Sequence, residues 1–458
     1  MMDDAPRSGP APDEVVPAAA RSVAWLSFDR VAAIAVQLVA GIAVVRHLGP
    51  ERFGLLSWSN AIVWLLVPVV GLGLDDYVRR EWATRPAPVR HHVLVRVIRL
   101  RTGVALVAAL GLVGVTLWTA PAGAGIGTLV LGTGLLVHPL FTAAIPFEVD
   151  LRARTVAKAR LAVTLAVGAW QVGGVVVGAG LLWFYLGALG ALAGHPLAAW
   201  LTYRRTYGAA PAPERGPRGG RTLLLGSIPY AVAAIAGGVT LRIDQLMLES
   251  LRGVAEVGVY AAAVRISEVP YFLPIIVAAS LIGATARGHG QERAARIART
   301  FDLLTLLGVA VGAATAVAAP LLIRVAFGAA YADAAPVLRL HALTLVPFSW
   351  TIARWQLLVL EERARVGAVA AVVAALFNVA LNLVLIPPLG PTGAAIATLV
   401  ATTADALLVA VFVPELRAPA GEMLRSLARL PRTARTLAVR SRADGDPSSG
   451  APPPTPGA

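Results

Sequence analysis

The 458 residues include no cysteine and a single lysine, and only 14% of them carry a charge. Without cysteine there is no disulfide framework, no thiol nucleophile and no thiolate metal site. The one lysine, Lys158, sits in Arg154-Thr-Val-Ala-Lys-Ala-Arg160, which lacks the glycines of a phosphate-cradling GxxxxGK[ST] loop. No nucleotide-driven motor is encoded here, and no motif asks for a resident cofactor. The shortage of charge also excludes an ordinary soluble domain, in which roughly 25% of residues are charged and 45–50% apolar. In their place stand 57% hydrophobic residues and a mean hydropathy of +0.71. Most of this surface is built for lipid.

A helix needs about 20 apolar residues to cross the ~30 Å hydrocarbon layer of a bilayer. On that template the sequence predicts an all-α, polytopic membrane protein with twelve spans, near 22–46, 53–77, 95–119, 126–149, 157–180, 181–203, 222–249, 256–284, 301–327, 334–360, 366–386 and 391–415. The net charge of +14 would suggest nucleic acid in a soluble protein. Here 31 of the 40 Lys and Arg fall in the two tails, in alternate loops or in the first turns of the flanking helices, whereas the opposite loops hold only Arg46, Arg52 and Arg252. Positive charge is retained in the cytoplasm, so both termini are expected there, with membrane lipids as partners and no nucleic acid.

The two halves of the sequence repeat. Val31-Ala-Ala-Ile-Ala35 recurs as Val232-Ala-Ala-Ile-Ala236, and each is followed by a turn and an apolar restart, Phe53-Gly-Leu-Leu-Ser57 and Val257-Gly-Val-Tyr-Ala261. An even number of helices per unit makes the repeat parallel. The expected organisation is a disordered cytoplasmic tail (1–20), a six-helix bundle (21–203), a Pro- and Gly-rich linker (204–220), a second six-helix bundle (221–416), a basic interfacial helix (417–442) and a disordered tail (443–458), with a central cavity between the bundles.

Ionisable residues inside spans are costly, about 2.5–3.5 kcal/mol on insertion scales, and by default face a cavity or a partner. Asp29 and Arg30 lie in the first span, Arg242 and Asp244 in the seventh, Arg265 and Glu268 in the eighth, Arg354 in the tenth and Asp405 in the twelfth. One reading makes Arg30, Arg242, Arg265 and Arg354 the lining of an anion-binding cavity. Asp29, Asp244, Glu268 and Asp405 then balance charge or bind a coupling cation, with sodium and protons as the candidates. The other reading is a set of structural ion pairs. It fits best at Arg265 and Glu268, which stand one turn apart on one helix face. His138 and His195 have no second ligand at i+3 or i+4, so they read as packing residues and not as a metal site.

Several stretches resemble bacterial lipid-linked oligosaccharide flippases, the O-antigen and polysaccharide translocases of the multidrug/oligosaccharidyl-lipid/polysaccharide exporter superfamily. They are Leu48-Gly-Pro-Glu-Arg-Phe-Gly-Leu-Leu-Ser57 with Gly71-Leu-Gly-Leu-Asp75 and Val78-Arg-Arg-Glu81, then Arg242-Ile-Asp-Gln245, Val257-Gly-Val-Tyr-Ala-Ala-Ala-Val-Arg265, and Asn378 to Ala395 around Pro387-Pro-Leu-Gly-Pro-Thr-Gly393. The resemblance implies two six-helix bundles around a cavity that opens alternately to either side. It implies that an undecaprenyl-pyrophosphate-linked oligosaccharide is turned from the inner to the outer leaflet of the bacterial plasma membrane. It carries a cavity role to Arg30, Arg242, Asp244 and Arg265, and it names glycosyltransferases and a polysaccharide polymerase as functional partners. Relatives that flip the peptidoglycan lipid precursor have two further helices and a cationic residue in the second helix; this sequence has twelve spans and no base there before Arg79. Two other readings stand beside this one: an ion-coupled multidrug exporter on the same scaffold, and a membrane enzyme such as a glycan polymerase or ligase. An enzyme acting on the outer face needs sizeable external loops, and every loop on that face is short.

Overall fold

The computed structural model describes residues 12–208, 220–278 and 289–444, and among these there is no strand. The helices are α1 (Pro12–Gly71), α2 (Asp75–Thr84), α3 (Ala87–Thr119), α4 (Gly125–Val137), α5 (Ile145–Val149), α6 (Ala153–Val176), α7 (Leu181–Tyr207), α8 (Gly220–Arg252), α9 (Val254–Ser267), α10 (272–278), α11 (Gly290–Phe327), α12 (Ala334–Ala342), α13 (Leu345–Leu360), α14 (Ala364–Thr403), α15 (Val409–Phe412) and α16 (Arg417–Asp444).

Among the described residues nine helices are long and apolar enough to cross a bilayer, and a tenth is the pair Val254–Ser267 and Val269–Ala278, bent by 41°. Two of the nine, Phe28–Thr84 and Ala364–Phe412, run to 57 and 49 residues. Straight helices of that length would be roughly 75–85 Å long, more than twice the hydrocarbon thickness. Each is interrupted inside a Leu-Gly-Pro triplet, at Gly49 (φ 70°, ψ 172°) and at Gly390 (φ 55°, ψ −134°). A side chain at either position would be strained, and the following proline supplies no N–H to continue the helix. Each long helix therefore provides two spans, which completes the twelve.

The face bearing residues 72–90, 150–160 and 361–365, together with α16, is the basic face; the turns at Gly49, Gly253 and Gly390 lie at the far face. The largest buried cluster contains residues of both halves and lies toward the far face: Val45, Leu48 and Phe53 pack with Val257, Tyr260 and Tyr331. Toward the basic face the cores separate. Leu74, Trp82 and Tyr203 belong to a cluster confined to the N-terminal half, and Phe301, Trp350 and Met423 to one confined to the C-terminal half. Among the described residues the hydrophobic cluster that joins the two halves does so near the far face, while at the basic face they touch through the Gly73 turn and α8.

Backbone contact tightens that seal. Gly54 lies against the Val254 carbonyl and Gly258 against the Pro50 carbonyl, with no room for a Cβ at either. Arg46 donates from Nε to the Ala326 carbonyl (2.6 Å) and from Nη2 to that of Val325, and the Tyr331 hydroxyl donates to Val45 O (3.0 Å). At the basic face the turn at Leu72 and Gly73, both with positive φ, presses on Ser227, Tyr230 and Ala231 of α8. Buried Arg101 holds this turn by donating to Gly71 O (2.6 Å), Asp75 Oδ1 (2.8 Å) and Thr142 Oγ1 (2.6 Å).

Residues 12–20, expected in a disordered tail, are instead the start of α1. Pro12 at the first helical position, Asp13 and Glu14 in the first turn and the alanines that follow are all favourable to a helix start. Residues 1–11, most of the expected linker (209–219), 279–288 and 445–458 lie outside the described residues. Over 417–442, α16 runs antiparallel along α11, with Ser426 against Thr305 (2.6 Å) and Arg429 against Asp302 (2.8 Å).

The far-face seal has a direct test in a chain without native thiols. Gly258→Leu should force the halves apart there. A reporter cysteine in the shared core, Leu56→Cys, should then react several-fold faster with a membrane-impermeant maleimide applied to the far face; an unchanged rate would contradict the seal.

Candidate translocation site

The turn at Gly253 sets the depth of the central charges. Arg242 on α8 and Arg265 on α9 lie almost equally far from it along their helices, about 16–18 Å at 1.5 Å per residue. Both guanidiniums therefore stand near the middle of a ~30 Å hydrocarbon layer. Arg242 pairs bidentately with Glu268, through Nη1 to Oε1 (2.8 Å) and Nη2 to Oε2 (2.9 Å). The pair retains access to solvent-sized space, with side-chain exposures of 27% and 22%. The expected local pairing of Glu268 with Arg265 is not formed. The carboxylate reaches across to α8 because the tight turn holds the two helices side by side at that depth.

Arg265 forms no ion pair among the described residues. Its guanidinium lies against α1 of the other half, in the space that a Cβ at Gly41 would fill, and over the ring of Phe53 at 5.8 Å. A cation over an aromatic face is favourable, but the ring leaves the positive charge uncancelled. Arg265 is thus a midplane cation at the contact between the two halves.

Arg30 lies on the same stripe of α1 as the Gly41 seat. Arg30, Gln37 and Gly41 follow at spacings of 7 and 4 residues, which places all three on one stripe of α1. Arg30 and Gln37 are exposed, and Arg30 lies about 16 Å from Gly41 toward the basic face. The inner stripe of the first span is therefore polar, with its cation on the side where the halves have separate cores.

Other candidates fall elsewhere. Arg354, 4% exposed, is locked to Asp405 (2.7 Å) and also donates to the Asp405 carbonyl inside the C-terminal half. Asp405 lies in a short π-helical stretch, Ala404–Leu408, and Arg354 satisfies a carbonyl there, so this pair joins α13 to the twelfth span. Asp29 is buried and 3.7 Å from Arg160 of α6, within the N-terminal half. His195 bonds Thr164 (3.1 Å) and Ala191 O (2.8 Å), a packing arrangement. No cluster of three or more metal-ligating side chains occurs among the described residues.

Asp244, 1% exposed, has no cationic partner within salt-bridge distance among the described residues. It accepts from the Tyr260 hydroxyl, from the Gln245 N–H (2.8 Å) and, at 3.5 Å, from Thr398 Oγ1. Asn378 and Asn382 on α14 are fully buried and joined to each other (3.0 Å), and among the described residues neither Asn378 Nδ2 nor Asn382 Oδ1 has a partner. By residue count Asn382, Thr398 and Asp244 lie at similar depth, about 12–14 Å from their far-face turns. The Asp244 carboxylate and the Thr398 hydroxyl in contact with it are oxygen donors of the kind that suits a hard monovalent cation or a proton. Of this group only Asp244 was singled out for a coupling role. The paired asparagines at i and i+4 in an apolar span were a visible signal, and the Gly41 seat of Arg265 had none.

The family described as polysaccharide biosynthesis protein matches residues 19–287. Among solved structures, a lipid II flippase MurJ in an inward closed conformation is similar with a TM-score of 0.67 at 13% identity, over 89% of this chain and 91% of that one. An inward-facing multidrug resistance MATE family transporter of the MOP superfamily is similar with a TM-score of 0.60 at 15% identity, over 88% and 95%. A MOP superfamily transporter from Pyrococcus furiosus, whose binding pocket is described as reversed in polarity, is similar with a TM-score of 0.59 at 14% identity, over 90% and 96%. Identities this low establish the shared fold. No curated protein matches the sequence.

The seat of Arg265 is testable without any substrate. Gly41→Val should destabilise the protein by about 1–3 kcal/mol through overpacking, and adding Arg265→Ala should restore most of that. Thermal unfolding in detergent measures both; a penalty that persists in the double variant would place Arg265 elsewhere.

Proposed function

This chain belongs to the polysaccharide biosynthesis protein family, and on that premise we propose that it is a flippase, not an enzyme, carrying an undecaprenyl-pyrophosphate-linked oligosaccharide across the bacterial plasma membrane for cell-surface polysaccharide assembly. The single observation that supports this most is Arg265, a midplane guanidinium without a carboxylate partner where the two halves meet. Among the described residues Arg242 pairs with Glu268, Arg30 and Arg265 form no ion pair, and Asp244 is buried against Tyr260. That balance favours an anionic cargo over a cationic drug.

A pyrophosphate cannot enter hydrocarbon with its water. Arginine replaces that water with a planar fork of donors and a charge that does not titrate away. Cargo enters from the basic face, where the halves have separate cores, and meets Arg30 before Arg265. The polyprenyl tail stays in lipid while the headgroup crosses. The bias of arginine toward one face puts that face and both termini in the cytoplasm, and an inside-negative potential then drives the anion outward by about 2.3 kcal/mol per charge per 100 mV. Upstream, glycosyltransferases build the glycan; downstream, a polymerase consumes it. Reset of the empty carrier is coupled to sodium or protons through Asp244, with Thr398 as a neighbouring oxygen donor.

Single replacements Arg30→Ala, Arg242→Ala and Arg265→Ala should abolish glycan export in cells dependent on this chain, at unchanged membrane abundance. Export preserved in all three would refute the assignment. Asp244→Asn should remove the dependence of transport on a sodium or pH gradient in proteoliposomes; a retained gradient dependence would remove Asp244 from the coupling role.

A further inference from the structure

We propose that Glu268 is an exchangeable counterion, which competes with the phosphorylated headgroup for Arg242 and so sets how firmly the chamber holds its cargo. This rests on the reading of the chamber as an anion site and adds a residue that weakens binding by design.

Glu268 stands between Ser267, where α9 ends, and Pro270, at the 41° bend toward α10. The backbone there is pinned on both sides. Ser267 Oγ lies 2.8 Å from His341 Nδ1, and the Tyr271 hydroxyl bonds Thr344. The bend is fixed, and the carboxylate has freedom only through its own side chain. It occupies both terminal nitrogens of Arg242, the same fork of donors a phosphate would take. Arg265 stands one turn back on α9 with no ion pair among the described residues, so a headgroup that displaces Glu268 from Arg242 has a second, unopposed guanidinium one turn away on α9.

Exposure distinguishes this pair from the enclosed pair of Arg354 and Asp405. Arg354 and Asp405 are 5% and 15% exposed in their side chains, against 27% and 22% for Arg242 and Glu268. A pair about a quarter exposed is screened by water more than the enclosed Arg354 and Asp405 are, so a ligand replaces one partner here at a lower cost. Turnover requires that replacement to be reversible. A chamber in which every guanidinium stood unopposed would bind a pyrophosphate too firmly to release it, whereas transport sites must also let the cargo leave.

The test uses purified full-length protein in detergent and geranyl pyrophosphate as the probe, with Kd and melting temperature measured together. Glu268→Gln should bind about ten-fold more tightly than the native chain, and Arg242→Gln with Glu268→Gln should return the Kd close to the native value. Because the chain has no other thiol, Glu268→Cys gives a second arm on one folded protein. Modification with a neutral methanethiosulfonate should leave tight binding, and modification with a sulfonate-bearing one should weaken it. If Glu268→Gln binds equally or less tightly while Arg265→Gln still removes native binding, the counterion role is overturned and the flippase reading stands. If no variant binds the probe, both fall. If Glu268→Gln does not fold, the cysteine arm decides, and an affinity indifferent to the added sulfonate overturns the proposal.

Discussion

A guanidinium cannot be left bare in hydrocarbon, and this constraint organises the molecule. Every arginine deep in a span must find a carboxylate, a carbonyl, a ring or water, and the ways in which these residues meet the requirement divide structure from site. Arg354 is enclosed by Asp405 and Arg101 by Asp75, Thr142 and a backbone carbonyl. Arg265 has only an aromatic face and the gap left by a glycine. The first two hold helices together. The third remains electrostatically unsatisfied, and it lies where the halves touch.

The same contact joins charge to conformation. Arg265 reaches from the C-terminal half onto α1 of the N-terminal half, just below the shared far-face core that Arg46, Tyr331 and the close-packed glycines at 54 and 258 complete. Toward the basic face the halves are held near each other by the turn at Gly73 against α8, while their interiors are separate. Opening the far face requires that the Arg46 and Tyr331 bonds break and that Arg265 leave its seat at Gly41. A cargo that engages Arg265 therefore acts on the contact that keeps the far face shut, which is the differential interaction that a ligand-driven change of state requires.

Much of this was legible in the sequence because membrane physics is written in long apolar runs and in the side on which arginine accumulates. The twelve spans and the charge bias depend on composition over some twenty residues, and such averages survive local detail. The breaks in the two longest helices were visible too, as Leu48-Gly49-Pro50 and Leu389-Gly390-Pro391. Partner choice was not legible. Arg265 and Glu268 look self-satisfying at i and i+3, yet Glu268 turns to Arg242 because the turn at Gly253 brings two helices to one depth. Arg354 and Asp405 meet across 51 residues, beyond the reach of any periodicity. Gly41 looks like any glycine in a span, and only a neighbouring helix reveals what its missing Cβ admits.

The central claim is that the unopposed charge of Arg265 receives a phosphorylated lipid headgroup between the two halves. The most direct measurement is a structure of the full-length chain in lipid nanodiscs with a prenyl-pyrophosphate-linked oligosaccharide bound. The account expects phosphate oxygens within hydrogen-bonding distance of the Arg265 guanidinium, with the glycan in the cleft between the halves and the prenyl chain directed toward lipid. Phosphate density away from Arg265, or a headgroup held on the outer surface of one bundle with the cleft empty, would contradict it.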